Sequence, residues 1–425
     1  GRGMAENVDS AQFNADEVDA PAWLNAELIE GALRAYEKDP ELHVTDLKIS
    51  PATLQGDHYA SVMFRAVSHY STAKGNFSKA LIVKTMPEQE GHKKDMLSNS
   101  PIFKTEILMY SKALPELERI LREAGDTTKL YAPCIYHSLE PHQVMIFEDL
   151  VPQGYTVIRD RYPNKEELQK AFFKLAKWHA ASMKVLNERP DFLKEFKYGL
   201  WGMPNFLNDS IVTTGVPCFL EMLDKVPELT KYKPYFEKIK DNYIQQMSAV
   251  MEEYRTNPKP NRYYVLCHGD FHGRNMMFRY NKETGSFEDV MLVDFQISNV
   301  CPLSIDLIYS IFMVMDTEDR WDLGKEYINY YFSVLADTLK KIGFKGEMPT
   351  QTGVWEHIHG HKDYEFFMMT SFLPLVAAMN TKTFKSMDSF FDPQTKQKSF
   401  FLDEYITDVK MLLRKFEELG YFKDL

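Results

Sequence analysis

Hydrophobic and polar positions follow different periods in the two parts of this 425-residue chain. Between residues 44 and 149, short apolar runs alternate with polar turns, which predicts β-strands with one helical stretch among them. In the later part, apolar residues recur with helical spacing, as in Leu168, Phe172 and Leu175, and Asn164 in front of them is a candidate N-cap. The pattern predicts an α+β protein whose strands are concentrated in its first part.

The same pattern suggests how the chain is divided. Residues 1–20 are expected to form a flexible N-terminal tail, residues 21–149 a smaller lobe, and residues 150–425 a larger, mainly helical lobe. Residues 23–37 have helical spacing and are expected to pack beside the smaller lobe. Residues 200–267 are helical by pattern, and we interpret them as an insertion on the substrate side of the larger lobe.

Charge and hydropathy exclude several classes of partner. The formal net charge of −11 and the pI near 5.6 argue against binding to nucleic acid or to an anionic membrane surface. No apolar run approaches the roughly 18 residues needed to cross a bilayer. We therefore expect a protein with neither a nucleic acid nor a membrane as partner; the sequence does not determine its oligomeric state.

Cysteine usage favours a reducing compartment. The four cysteines, Cys134, Cys218, Cys267 and Cys301, include no C-x-x-C pair, and no secretory signal precedes them. A cytoplasmic location is the expectation.

The most informative segment is a predicted hairpin near residue 280. Two short apolar runs flank the polar turn at residues 281–286, with Asn275 just before the first run and Asp294 just after the second. Antiparallel pairing would return both side chains to one end of the hairpin, one short loop away from Asp270. Two carboxylates and an amide oxygen gathered there suit Mg²⁺, although either Asn275 or Asp294 alone is more simply a turn former.

The complete string around this hairpin resembles a known superfamily. Residues 268–275 read HGDFHGRN and residues 294–296 read DFQ, which is similar to the catalytic loop and the metal loop of kinases. These variants look like the small-molecule branch, which includes aminoglycoside phosphotransferases and choline kinases. The resemblance implies a two-lobed, protein-kinase-like fold, with a small antiparallel-sheet lobe and a larger helical lobe, that binds ATP and Mg²⁺.

Two upstream residues extend the resemblance. Lys84 ends the strand-like run at residues 78–84 and matches the strand lysine of kinases, which holds the α- and β-phosphates. Glu106 lies on a helix-like stretch and is the candidate carboxylate that orients this lysine.

Two further segments are candidates for binding the rest of the nucleotide. Gly56 and Ser61 fit a turn over phosphates, with backbone N–H groups and the Ser61 hydroxyl as donors. The run at residues 144–150 is apolar and then acidic, and it resembles the hinge between kinase lobes. The resemblance implies that the backbone around Glu148 and Leu150 would bind the adenine edge.

A narrower family is indicated by four short motifs. G-D-x-Y-A-S from residue 56, F-x-x-E-x-x-x-Y from residue 103, F-E-D-L from residue 147 and W-H-A from residue 178 resemble the ecdysteroid-kinase-like proteins abundant in insects. The similarity covers roughly residues 45 to 330. Many relatives carry Trp in place of His272 and Asn in place of Arg274, so the present loop is closer to the wider aminoglycoside-phosphotransferase pattern.

The resemblance implies a role for each residue of the catalytic segment. Asp270 would accept the proton of an acceptor hydroxyl or orient that hydroxyl, while Asn275 and Asp294 would hold Mg²⁺ on the β- and γ-phosphates. His272 and Arg274 would either add positive charge near the transferred group or serve a structural role.

Two residues are assigned supporting roles. His268 is interpreted as a hydrogen-bonded scaffold residue in preference to a base. Asp306 resembles the family's structural aspartate, which steadies the catalytic loop.

Two other clusters have simpler interpretations. His357, His359 and His361 offer two histidines four residues apart, but Gly360 weakens the helix that a metal site would need. A core helix explains Phe366, Phe367, Met368, Met369 and Phe372 more simply than the wall of an apolar acceptor pocket, which they would also suit.

The sequence therefore predicts an ATP-dependent kinase of a small-molecule alcohol, with an ecdysteroid-like steroid or another apolar alcohol as acceptor. Choline, ethanolamine or a xenobiotic alcohol is the alternative within the same chemistry. A nucleotide-binding pseudokinase scaffold is the alternative of another class, although Lys84, Asp270, Asn275 and Asp294 are all present.

Overall fold

The computed structural model describes residues 19–52, 61–87, 100–382 and 392–423. Within these ranges, no helix is both long enough and apolar enough to cross a membrane.

A five-stranded antiparallel sheet forms the smaller lobe. Its strands, in the spatial order β1-β2-β3-β5-β4, are β1 (His43–Pro51), β2 (Val62–Thr72), β3 (Gly75–Thr85), β4 (Cys134–Ser138) and β5 (Val144–Glu148). Alternate residues of β2, such as Val62, Phe64 and Ala66, are buried, as expected when one face of a sheet covers a core. Thr72 pairs with Gly75, so β2 and β3 form a tight hairpin.

Helices cover this sheet and connect it to the rest of the chain. Helix α1 (Ala26–Glu37) lies in the segment predicted to be helical, and Asn25 caps it by accepting a hydrogen bond from Leu28 N at 3.0 Å. Its buried residues Ile29 and Leu33 join the core of the sheet. Helix α2 (Ile102–Leu108) continues through a π turn (Met109–Ala113) into helix α3 (Leu114–Glu123).

The larger lobe is mainly helical, as predicted. Its helices are α4 (Lys165–Glu188), α5 (Ser210–Thr213), α6 (Gly215–Lys225), α7 (Lys233–Ile239), α8 (Tyr243–Thr256), α9 (Leu303–Met313), α10 (Asp322–Lys341), α11 (Gln351–Gly360), α12 (Lys362–Thr370), α13 (Phe372–Asn380), α14 (Pro393–Ser399) and α15 (Asp403–Glu418). Short 3₁₀ turns cover Val151–Gln153, Leu200–Gly202, Phe206–Asn208, Pro227–Tyr232 and Gly273–Asn275.

Helix α4 begins where the sequence places its cap. The side chain of Asn164 accepts a hydrogen bond from Glu167 N, and the Glu167 carboxylate accepts one from Asn164 N. This reciprocal capping box satisfies two N–H groups that would otherwise lack partners at the helix end. Leu168, Phe172 and Leu175 are buried along one side of the helix, so the helical period read from the sequence is confirmed.

Two small sheets lie within the larger lobe. Strand β6 (Tyr155–Thr156) joins the hairpin of β8 (Met276–Tyr280) and β9 (Phe287–Leu292), and β7 (Tyr264–Cys267) pairs with β10 (Asn299–Pro302). The predicted hairpin is confirmed by the antiparallel register of β8 and β9. The prediction of helix up to residue 267 is wrong for residues 264–267. These residues include the aromatic Tyr264 and the β-branched Val265, and they form strand β7, which pairs with β10.

One buried ion pair fastens the last long helix to the core of the larger lobe. Arg320 and Asp408 are both buried and bonded to each other, and Arg320 Nε donates to Ile311 O at 3.1 Å. Asp408 belongs to α15 and Ile311 to α9. Two helices distant in sequence are thus joined through a single guanidinium.

We expect Asp408→Ala to lower the free energy of unfolding by about 3 to 5 kcal/mol, because it leaves a buried guanidinium without its carboxylate. Denaturant titration followed by circular dichroism measures this change. The control is Lys341→Ala, which breaks an exposed pair with Asp337 and should change stability by about 0.5 kcal/mol or less. Similar losses in both variants would contradict the structural role of the buried pair.

Candidate active site

The β8–β9 hairpin brings Asn275 and Asp294 together. Met276 pairs with Leu292, and Val293 N donates to Asn275 O at 3.0 Å, so the two segments remain in contact just beyond the ladder. Asp294 adopts the left-handed conformation at φ +64°, which is uncommon for a residue other than glycine and is enriched at functional sites. Asn275, Asp294 and Asp270 line the same cavity.

Asn275 is also bonded directly to Asp270. Its Nδ2 donates to Asp270 Oδ2 at 2.8 Å and to Asp270 O at 3.0 Å. Because the amide nitrogen of Asn275 points toward Asp270, its amide oxygen points away from Asp270. Asn275 and Asp294 therefore both offer oxygen atoms on one cavity, a donor set that suits Mg²⁺.

Lys84 connects the two lobes. Its Nζ lies 2.7 Å from Glu106 Oε1 and 2.7 Å from Asp294 Oδ1, and both Lys84 and Glu106 are buried. Burial lowers the pKa of Lys84, but the charges of Asp294 and Glu106 raise it by more, so the pKa lies above its usual value and the amine is protonated at neutral pH. The pairing predicted between Lys84 and Glu106 is present.

Glu106 also holds the residue that follows Asp294. Its Oε2 accepts a hydrogen bond from Phe295 N at 2.8 Å. The buried Phe295 ring packs against Tyr110, Trp178 and His268, with ring centroids 5.1 to 5.4 Å apart. The Glu106 carboxylate thus fixes the positions of both Lys84 and the backbone at Phe295.

Asp306 anchors the loop that carries Asp270. It accepts hydrogen bonds from His268 N at 2.7 Å and from Gly269 N at 3.0 Å, and it lies 2.8 Å from Nε2 of the buried His179. Burial raises the pKa of Asp306, but the hydrogen bond and charge of His179 lower it by more, so the residue is ionised. The loop-steadying role predicted for Asp306 is confirmed by these contacts.

His268 is held by a partner on each ring nitrogen. Nε2 lies 2.9 Å from Val293 O, and Nδ1 accepts a hydrogen bond from Asp270 N at 3.1 Å. Burial lowers the pKa of this imidazole. These contacts fit the predicted scaffold role and leave no ring nitrogen for proton transfer.

His272 lies beside the carboxylate of Asp270. Its Nε2 is 3.2 Å from Asp270 Oδ1, and its Nδ1 accepts a hydrogen bond from Arg274 N at 3.1 Å. Burial lowers the pKa of His272, and the charge of Asp270 raises it by more, so that the pKa lies above its usual value. Arg274 lines the same cavity from a more exposed position.

The predicted hinge follows strand β5. Asp149 N donates to Ala80 O at 2.9 Å, so the backbone of Asp149 faces β3. Since backbone groups point alternately to the two sides of a strand, the carbonyl of Glu148, the last residue of β5, faces away from β3. Leu150 also belongs to a small apolar cluster with Met291 of strand β9.

The predicted phosphate turn is described only in part. Gly56 lies outside the described residues. Ser61 is buried and lines the same cavity as Asp294.

The cavity at this site has a volume of about 530 Å³, within the range of small-molecule binding sites. Residues 157–163, 200–211 and 372–379 contribute most of its apolar wall, and Asp270 and Tyr309 lie on the same cavity. Sequence reasoning missed most of this wall, because its segments are far apart along the chain. Tyr309 was also missed, although its place three residues after Asp306 was a usable signal.

The apolar residues at 366–369 and 372 divide between core and cavity. Residues 366–369 are buried, as the core-helix interpretation predicts, whereas Phe372 lines the cavity at the start of α13. Of the histidine cluster, His359 is bonded to Tyr421 and His361 to Ser304.

The antiparallel sheet joined to a mainly helical lobe, with this site on one cavity, defines a protein of the protein-kinase-like fold, as predicted. Residues 55–344 match the model of the ecdysteroid kinase-like family, and the chain belongs to this family. No curated protein sequence matches the chain.

Solved structures of small-molecule kinases are similar to this chain at low identity. Choline kinase from Cryptosporidium parvum Iowa II is 11% identical with a TM-score of 0.42, over 92% of this chain and 97% of that one. Choline kinase LicA from Streptococcus pneumoniae is 12% identical with a TM-score of 0.41, over 88% and 96%. Amicoumacin kinase hAmiN, in complex with AMP-PNP and Ca²⁺, is 13% identical with a TM-score of 0.39, over 90% and 97%.

Gly269 provides a test of how closely the loop is packed. It has φ +89°, and a Cβ there would lie 2.3 Å from Ile297 O. Gly269→Ala should therefore lower the free energy of unfolding by about 2 kcal/mol more than Gly285→Ala, since overpacking adds to backbone strain. Gly285, at φ +73° with nothing within 4 Å of where a Cβ would lie, controls for the strain alone. Equal losses in denaturant titrations would refute close packing at Gly269.

Proposed function

We propose that the protein is an ATP-dependent kinase that transfers the γ-phosphoryl group to a hydroxyl of a small, largely apolar alcohol, with an ecdysteroid-like steroid as the favoured acceptor. The observation that carries this proposal is the shared cavity of Asp270, Asn275 and Asp294, with Lys84 bonded to Asp294 at its edge. We further propose that residues 21–149 bind the nucleotide and residues 150–425 supply the catalytic and acceptor-binding groups.

For the nucleotide phosphates, we assign Lys84 as the cation and Glu106 as the residue that orients it. Because Lys84 is protonated, buried and fixed by two carboxylates, its charge is available to the α- and β-phosphates with little reorganisation. Asn275 and Asp294 would hold Mg²⁺, which when bound offsets negative charge on the β- and γ-phosphates. Gly56 and Ser61 are assigned to the turn over the phosphates.

The adenine is assigned to the segment after β5. The Glu148 carbonyl, which faces away from β3, is assigned to accept from the adenine edge, and the Leu150 N–H, two residues later, is assigned to donate to it. The apolar cluster of Leu150, Tyr155 and Met291 lies beside them and suits one face of the base.

Asp270 is assigned as the catalytic base. As the acceptor oxygen forms its bond to the γ-phosphorus, the bond from that phosphorus to the ADP oxygen breaks, and the hydroxyl proton passes to the Asp270 carboxylate. Burial raises the pKa of Asp270, but the charge and hydrogen bond of His272 and the hydrogen bond of Tyr309 lower it by more, so the carboxylate is ionised and ready to accept.

The wall of the cavity favours an apolar acceptor over choline or ethanolamine. Phe372, Leu375, Val376 and Met379 on α13 present a continuous apolar face. A quaternary ammonium is bound by aromatic rings or acidic groups. The cavity contains such rings, but Arg159, Arg161 and Arg274 also line it, and their charges disfavour a cationic acceptor. A cytoplasmic location is also proposed, supported by four cysteines that are all free thiols.

Asp270→Asn should reduce phosphoryl transfer by about 10²- to 10⁴-fold, the usual contribution of a general base, while Mg·ATP binding changes less than about threefold, since Asp270 is not assigned to the nucleotide. A coupled ADP assay measures transfer, and isothermal titration calorimetry measures binding. Asp337→Asn, on the exposed face of α10, is the matched control and should behave as the wild type.

Full activity in Asp270→Asn would refute the base assignment. Nucleotide binding by the wild type without transfer to any acceptor would favour the pseudokinase alternative.

Acceptor class is tested by a panel of steroid, xenobiotic and choline-like alcohols, with transfer read as a mass gain of one phosphoryl group. Val376→Asn should lower kcat/KM for apolar alcohols about tenfold or more, because it places an amide in the apolar wall. Val334→Asn, a partly buried valine of α10 outside the cavity, is the control. Transfer confined to choline or ethanolamine, unaffected by Val376→Asn, would contradict the apolar acceptor.

A further inference from the structure

Resting on the proposed kinase function, we propose that Tyr309 is a positioning residue for phosphoryl transfer. Its hydroxyl and His272 together occupy Oδ1 of Asp270, and this directs the remaining acceptor position, on Oδ2, toward the hydroxyl of the incoming alcohol.

The position of Tyr309 follows from the register of α9. Asp306, at the start of that helix, accepts from the backbone of His268 and Gly269 and so fixes the loop that carries Asp270. Tyr309 lies three residues further on, on the same side of the helix, and its hydroxyl donates to Asp270 Oδ1. One helix therefore sets both the loop and the orientation of its carboxylate.

A count of hydrogen bonds on Asp270 indicates where the acceptor binds. A carboxylate offers about four lone-pair positions, two on each oxygen. Oδ1 accepts from the Tyr309 hydroxyl and is also occupied by the ion-pair contact with His272 Nε2 at 3.2 Å, and Oδ2 accepts from Asn275 Nδ2 at 2.8 Å. Among the bonds formed by the described residues, three of the four positions are taken. The fourth lies on Oδ2, the oxygen shared with the proposed metal ligand Asn275.

The Tyr309 ring also contributes to the acceptor side of the cavity. Its centroid lies 6.4 Å from that of His272, at an interplanar angle of 30°, and 6.3 Å from that of Phe372. Tyr309 and Phe372 both line the cavity. The Tyr309 ring is therefore part of the cavity wall that an acceptor would contact, while its hydroxyl is bonded to Asp270.

The charges around Asp270 keep Tyr309 a donor. Burial and the charge of Asp270 raise the pKa of Tyr309 well above its usual value, so its hydroxyl stays protonated. The titratable groups with the largest effect on the pKa of Asp270 are His272, Tyr309 and His268, and the buried Tyr364 of α12 also interacts with its charge.

The test compares Tyr309→Phe, which removes only the hydroxyl, with the wild type in steady-state kinetics on an apolar alcohol accepted by the wild type. We expect kcat to fall about tenfold, the equivalent of one hydrogen bond to a charged group, with KM for ATP within twofold. A lower kcat with an unchanged KM for ATP separates loss of positioning from a general loss of structure, which would weaken nucleotide binding as well.

The matched control is Tyr405→Phe, which removes another buried phenol hydroxyl, one bonded to Met369 O at 2.7 Å away from the cavity. It should leave kcat unchanged. An unchanged kcat in folded Tyr309→Phe would overturn the proposal. If Tyr309→Phe fails to fold, His272→Asn removes the other group beside Oδ1 and should lower kcat without changing KM for ATP; an unchanged kcat there overturns the proposal equally. Absence of transfer by the wild type would overturn the kinase assignment itself.

Discussion

The ammonium group of Lys84 is the charge on which the rest of the site depends. It is contributed by the sheet of the smaller lobe, and it is shared between Glu106 and Asp294, the latter from the larger lobe. A buried charge of this kind is stable only while its partners remain in place. Because Glu106 also binds the backbone of Phe295, the lysine, the helix α2 and the segment after β9 form one unit, and the cleft between the lobes is organised around it.

The features that could be predicted from the sequence are those that depend on short stretches of the chain. The β8–β9 hairpin, the start of α4 at Asn164 and the pairing of Lys84 with Glu106 follow from strand alternation, capping chemistry and motif spacing, and the structure contains all three. The wall of the cavity could not be predicted in this way. Its residues come from segments separated by up to about two hundred positions, which periodicity within a window of the sequence cannot relate. The strand β7 was missed for a similar reason, because its partner β10 lies more than thirty residues later.

In the larger lobe, the residues that support the loop carrying Asp270 differ from the residues that line the cavity. His179, Asp306 and His268 are buried and bonded to one another or to backbone, and they hold the loop without lining the cavity. Asp270, His272 and Tyr309 are on the cavity and bonded among themselves. The Asp270 carboxylate, proposed as the catalytic base, is therefore held from two directions, through its backbone by Asp306 and through its side chain by α9, which leaves it little freedom to rotate.

The π turn at Met109–Ala113 has a consequence for the phase of the helix that bears Glu106. Leu114 N donates to Met109 O across five residues, one more than in a regular helical turn. Each residue advances a helix by about 100°, so the extra residue offsets α3 from α2 by that angle. Glu106 can face Lys84 while Leu114 and Leu117 still face the apolar interior. If this turn were one residue shorter, Glu106 could not face Lys84 while Leu114 and Leu117 remained in the apolar interior.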